Sequence, residues 1–166
     1  TADQVTNLTT AQAASLTATQ LAAFSTSQLR ALETADFQQI TGEQLQAITT
    51  TGIKALTADQ VGALTTAQAS QLTTAQVNAL SATQLQAIST AALSKLTDSQ
   101  IQAITTAGVK GLLADQVSNL TTAQLAALTT AQTAALSAAQ VESLTTAQVS
   151  GLTEAQVTAM TSTQIK

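Results

Sequence analysis

Large apolar residues recur at every eighth position of the chain, from Leu8 to Met160, without an exception or an insertion. A fixed period along a whole sequence is typical of a repeat array, in which one small unit stacks on the next. With the octad numbered from Thr9 to Leu16, the consensus is T-T-A-Q-V-x-A-L, which adds a second apolar residue at position five. The pattern predicts about twenty-one copies of one structural unit.

A helix start is written into almost every octad. Position one is Thr or Ser in nineteen of twenty-one octads, and position four is Gln in seventeen. This is the S/T-x-x-E/Q capping box, with the apolar residues at positions eight and five as the N′ and N4 partners of a hydrophobic staple. Because an N-cap lies outside helical dihedrals, a box in each octad predicts one helix of about one and a half turns, over positions two to seven.

Three other architectures fit the octad less well. A continuous α-helix would shift its apolar stripe by about 80° per octad, so no coiled-coil partner could follow it. A β-solenoid would place positions five and eight on opposite faces of a strand. Disorder fits the Thr-, Gln- and Ser-rich composition, but a solvated tail does not keep apolar residues in register. We therefore predict an all-α, superhelical solenoid of about twenty-one short helices, one per octapeptide repeat.

The remaining positions predict how the helices pack. Position seven is small in fifteen of twenty octads, which would let neighbouring helices approach closely. Position six varies most, as at Arg30, Lys54 and Glu142, and is expected to face solvent. A single octad cannot repay its ordering entropy by burying two aliphatic side chains, so stability must come from stacking on neighbours.

A longer period overlies the octad. Position four departs from Gln at Asp36, Gly52, Ala92 and Gly108, and each of the two pairs is separated by 56 residues, or seven octads. One interpretation is duplication of a seven-octad block, and the other is a superhelical lap of seven octads. We treat residues 1–166 as a single octapeptide-repeat solenoid with a possible 56-residue super-repeat, and we expect it to be an excerpt of a longer array.

Composition leaves little chemistry. The chain has no His, Cys, Trp, Tyr or Pro, and only 8% of its residues are charged, against about 25% in a typical domain. A net charge of −4 without a basic patch argues against nucleic acid and membrane partners. We predict a protein that is not an enzyme, with no catalytic, cofactor-binding or metal-binding residues, no small-molecule substrate and no membrane insertion.

The acidic residues are interpreted as structural. Glu33 and Asp36 form the only close acidic pair, and we expect them to complement a helix dipole rather than to act as a catalytic dyad. Asp3, Asp59 and Asp115 share position three, where the macrodipole favours a carboxylate. The threonines raise the possibility of ice binding, but position one is committed to capping and position two is interrupted by other residues.

Two resemblances accompany these observations. Leu56 to Leu64 (LTADQVGAL) resembles the opening of the first helix of transcription activator-like effector repeats, but the variable pair and the second helix of those repeats are missing, so DNA recognition is not implied. The whole chain is similar to the LTTAQVAAL-type octapeptide tracts of very large bacterial surface and secreted repeat proteins, of the adhesin-like kind. That resemblance implies a bacterial origin and a cell-surface, spacer or fibre role.

Together these features lead to a functional expectation. We expect a structural module that forms a rod, filament or stalk on or outside a bacterial cell and that self-associates end to end or laterally. The alternative is a solenoid scaffold that binds a protein or peptide on one surface, which would require a localised patch of unusual residues. Position six carries only scattered ones.

Overall fold

The computed structural model describes residues 1–165, and this range contains twenty short α-helices and no strand. The predicted all-α solenoid with one short helix per octad is confirmed. Residues 162–164, in the last octad, form a turn instead of a helix. The helices are α1 (Ala2–Thr6), α2 (Thr10–Ala14), α3 (Ala18–Ala22), α4 (Thr26–Ala31), α5 (Thr34–Phe37), α6 (Gly42–Ala47), α7 (Thr50–Ala55), α8 (Ala58–Gly62), α9 (Thr66–Gln71), α10 (Thr74–Ala79), α11 (Ala82–Ala87), α12 (Thr90–Leu93), α13 (Asp98–Ala103), α14 (Thr106–Gly111), α15 (Ala114–Ser118), α16 (Thr122–Ala127), α17 (Thr130–Ala135), α18 (Ala138–Glu142), α19 (Thr146–Ser150) and α20 (Glu154–Ala159).

Two extended residues make the corner between successive helices. In α10 the N-cap Thr73 has φ −73° and ψ 156°, and the C-cap Leu80 has φ −66° and ψ 135°. The Leu80 N–H closes the last turn on the carbonyl of Val77 at 3.1 Å. Since no residue between 1 and 165 has a positive φ, the corner uses ordinary extended backbone and requires no glycine.

The corners wind the chain so that each helix packs against the helix three places along. Helix α11 contacts α8 on one side and α14 on the other, and the same step recurs from α1·α4 to α17·α20. Side-chain hydrogen bonds between laps join residues 28 and 31 positions apart. One lap therefore takes about three and a half octads, and the hypothesis of a seven-octad lap is wrong. Seven octads correspond to about two laps.

A single apolar core runs along the superhelix. The side chains at positions five and eight form one buried cluster that extends from Val5 to Leu136. Position six is exposed, as predicted, and three of its amides, on Gln46, Asn78 and Gln86, donate to carbonyls 25 residues later. Within residues 1–165, no helix combines the length and the apolar character needed to cross a bilayer.

Close approach between laps at position seven is confirmed. A Cβ added to Gly111 would lie 2.6 Å from the Cβ of Ala82, which is closer than real Cβ atoms come. At position four, a Cβ on Gly108 would lie 2.7 Å from the Leu85 Cδ1 atom. The lap spacing therefore leaves no room at these two sites for a larger side chain without a shift of neighbours.

Candidate functional site

The capping box predicted from sequence forms in the helices that carry both of its residues. In α11 the Gln84 N–H donates to Ser81 Oγ at 3.2 Å, and Gln84 Oε1 accepts from the Ser81 N–H at 2.9 Å. The reciprocal bonds hold the glutamine side chain in one orientation at the start of its helix. Only the glutamine half forms at Leu113, which has no hydroxyl: its N–H donates to Gln116 Oε1 at 2.9 Å.

The free end of the same glutamine reaches the previous lap. Gln84 Nε2 donates to the carbonyls of Ile53, at 2.8 Å, and Leu56, at 2.9 Å. These acceptors are positions five and eight of the octad four registers earlier. We call the glutamines that make this contact the glutamine ladder, and its members are Gln44, Gln60, Gln68, Gln76, Gln84, Gln100, Gln116, Gln124, Gln132, Gln140, Gln148, Gln156 and Gln164.

Each ladder side chain satisfies polar groups at two helix ends. Its carbonyl oxygen accepts at the N-terminus of its own helix, and both of its N–H groups donate at the C-terminal end of a helix in the preceding lap. Gln84 is only 4% exposed, so the three bonds lie in a region with little water to replace them. A buried polar group left without its partner costs about 1–3 kcal/mol, so the ladder is a large term in how laps hold together.

The role between laps was missed from the sequence, although the sequence contains a signal for it. A capping box accepts Glu as readily as Gln at its fourth position, because only the side-chain oxygen is used. Position four holds seventeen glutamines and no glutamate in this chain. A carboxylate could close the box but could not donate to two carbonyls of the preceding lap.

Four octads interrupt the ladder. Gly52, Ala92 and Gly108 have no side-chain amide, and in their helices only the hydroxyl half of the box remains. Counting 28 residues back, the carbonyls of Phe24, Leu64 and Leu80 stand where a ladder glutamine would donate; among the hydrogen bonds of residues 1–165, none comes to them from a side chain.

Asp36 is the fourth interruption and the one buried charge. It lies in the first turn of α5, as the dipole interpretation expected, but it is only 3% exposed and its Oδ2 atom has no hydrogen-bond partner. The register places it over the Val5 and Leu8 carbonyls, which are acceptors and cannot bind a carboxylate. Burial, and secondarily the charge of Glu33, raises the pKa of Asp36. Glu33, the N-cap of α5, makes no capping bond with its side chain.

Other charged residues do not converge. Asp3, Asp59 and Asp115 lie in the first turns of α1, α8 and α15, at the helix position that the sequence predicted. Across residues 1–165, no three His, Cys, Asp or Glu side chains are grouped so that they could hold a metal ion. The arrangement that the structure repeats is the ladder, and its chemistry is hydrogen bonding between laps.

Removing a ladder glutamine should cost more than removing a box glutamine. We expect Gln84→Ala to lower the free energy of unfolding by about 2–4 kcal/mol, because it leaves one amide and two carbonyls unpaired. Gln20→Ala is the matched control, since Gln20 precedes a leucine in a similar octad but bonds only to Thr17; its cost should be about 0.5–1 kcal/mol. Urea unfolding followed by circular dichroism measures both, and equal losses would contradict a role between laps.

Neutralising Asp36 should stabilise the protein in a pH-dependent way. A carboxyl with a raised folded pKa contributes stability that is complete below its unfolded pKa of 3.8 and is lost as pH rises through the folded value. We therefore expect Asp36→Asn to gain stability over the wild type as pH rises above that value and to differ little below it. Unfolding midpoints of both proteins across pH 3–7 test this, because all other carboxyls are shared. A difference that is constant with pH would contradict it.

Residues 39–74 match the family model of the ALTTAQ repeat. These residues run from the end of the α5 octad through α9 and include ladder residues Gln44, Gln60 and Gln68. Among curated proteins, none matches the sequence. The family match and the helical solenoid together identify the chain as containing a repeat-protein tract.

Proposed function

We propose that the chain is a structural, non-enzymatic module that forms a rod in a filament or stalk on or outside a bacterial cell. The observation that carries this proposal is the repetition of one contact scheme along the chain. Every lap binds its neighbour through the same apolar positions and the same glutamine bonds. Such a body gains length with each octad added, and its stability is close to a sum over neighbouring laps.

The distribution of charge supports a passive role. Its charged side chains are exposed one by one around the superhelix, as at Arg30, Lys54, Lys110 and Glu142. A binding scaffold would concentrate such residues on one surface, and an enzyme would bring titratable groups together in a cleft. Neither pattern occurs in the part of the chain that the structure describes, so a spacer role fits the observations better.

The extracellular location is supported by the similarity to octapeptide tracts of bacterial surface and secreted proteins. A scaffold without cysteine and with few charges keeps its interactions in either redox environment, because none of them depends on a thiol. The hydroxyl and amide groups that join its laps are also uncharged, so they change little with external salt or with pH near neutrality.

Immunogold electron microscopy of intact cells that make the protein tests this proposal. We expect gold particles on the outer surface, along fibres or stalks, and no label on cells that lack the coding sequence. An antibody against residues 1–166 that labels only the interior of sectioned cells would contradict the proposed location and role.

A further inference from the structure

The first lap presents glutamine amides without acceptors. Gln12 and Gln20 are held by their boxes, with Oε1 accepting from the Thr9 N–H at 2.9 Å and the Thr17 N–H at 2.7 Å. Both side chains are exposed, and within residues 1–165 their Nε2 groups donate to no acceptor. The same holds for Gln4. These amides are already oriented as ladder donors, but no earlier lap lies beneath them.

The last lap presents the matching acceptors. The final ladder glutamine, Gln164, donates to the carbonyls of Thr133 and Leu136. No ladder glutamine follows it in the described residues, so the next carbonyls at positions five and eight receive none. These are the carbonyls of Val141, Leu144, Val149, Leu152, Val157 and Met160.

The apolar surfaces of the two laps are complementary as well. An apolar groove of about 260 Å³ lies in the last lap, lined by the six residues just named together with Gln164 and Ile165. Val149 is 50% exposed and Val157 is 49% exposed, whereas Val117 at the same octad position is fully buried. In the first lap the side chains left partly uncovered are those at position eight, Leu8, Leu16 and Phe24.

We propose that the first lap of one copy docks on the last lap of a second copy and continues the glutamine ladder across the junction; this rests on the structural role proposed above. Applying the separations of 28 and 31 residues, Gln4 pairs with Val141 and Leu144, Gln12 with Val149 and Leu152, and Gln20 with Val157 and Met160. In this register Thr1 of the docked copy falls beyond Lys166, so the two chains do not compete for one octad.

The partner is a second copy because of the spacing of the donors. The acceptor carbonyls repeat every octad around the last lap, and a matching surface needs primary amides at the same interval with apolar side chains between them. The first lap of this chain has both. The two faces differ from each other, so the contact is heterologous and does not close, and such contacts generate open filaments.

Two variants separate the faces. Val149→Lys with Val157→Lys places charges in the apolar groove of the last lap and leaves the first lap intact. Gln12→Glu with Gln20→Glu keeps the oxygen that closes each box but replaces the donors by carboxylates that face carbonyls. The matched control, Ser150→Lys with Thr158→Lys, adds the same charges at exposed position-six sites of the same helices. Circular dichroism verifies that each protein is folded.

Sedimentation velocity and equilibrium then measure the mass of the wild type, the variants and their mixtures over a range of concentration. We expect the wild type and the Ser150/Thr158 control to grow without a fixed end point, and each face variant to remain a monomer of 16.8 kDa. Mixing the two face variants should restore one junction and double the mass, without further growth.

A wild type that stays monomeric at all concentrations, face variants that still associate, or a mixture that stays monomeric would overturn the docking proposal. Small-angle X-ray scattering of the monomeric variants tests the rod separately. A radius of gyration above about 15 Å, the value for a compact domain of this size, leaves the structural role in place even if docking fails.

Discussion

The glutamine at position four is the contact on which this structure depends. A helix of five or six residues leaves most of its backbone N–H and C=O groups without partners inside the helix, so short helices need partners from elsewhere. In this chain one side chain closes the start of its own helix and binds the carbonyls at the end of a helix in the preceding lap, as Gln84 does with Ile53 and Leu56. The apolar residues supply the burial, and the glutamine fixes the spacing between laps.

The lap length gives the interruptions of the ladder a geometric meaning. Because 56 residues correspond to about two laps, Asp36 stands two laps from Ala92, and Gly52 stands two laps from Gly108. Residues that are equivalent in this period lie near the same side of the superhelix, one above the other. Duplication of a seven-octad block therefore adds whole laps and leaves every lap contact in register, which a block of six or eight octads would not do.

Much of this structure could be predicted from a single octad. The hydroxyl at position one and the glutamine at position four predict a helix start, and positions five and eight predict the core, because these features depend on local hydrogen bonds and burial. The lap of about three and a half octads was not predictable, since it depends on how dihedrals at corner residues such as Leu80 add up over several helices. The burial of Asp36 was missed for the same reason: only the lap places it under another turn of chain.

Hydrogen exchange of glutamine side-chain amides, observed by ¹⁵N NMR on the intact chain, tests the ladder most directly. The account predicts that the amides of Gln76, Gln84 and Gln124 exchange slowly, because both N–H groups donate to buried carbonyls and exchange requires laps to separate. The amides of Gln12 and Gln20, measured in the monomeric Val149→Lys, Val157→Lys protein, should exchange at the rate of free glutamine. Equal rates in the two groups would contradict the claim that glutamines join the laps.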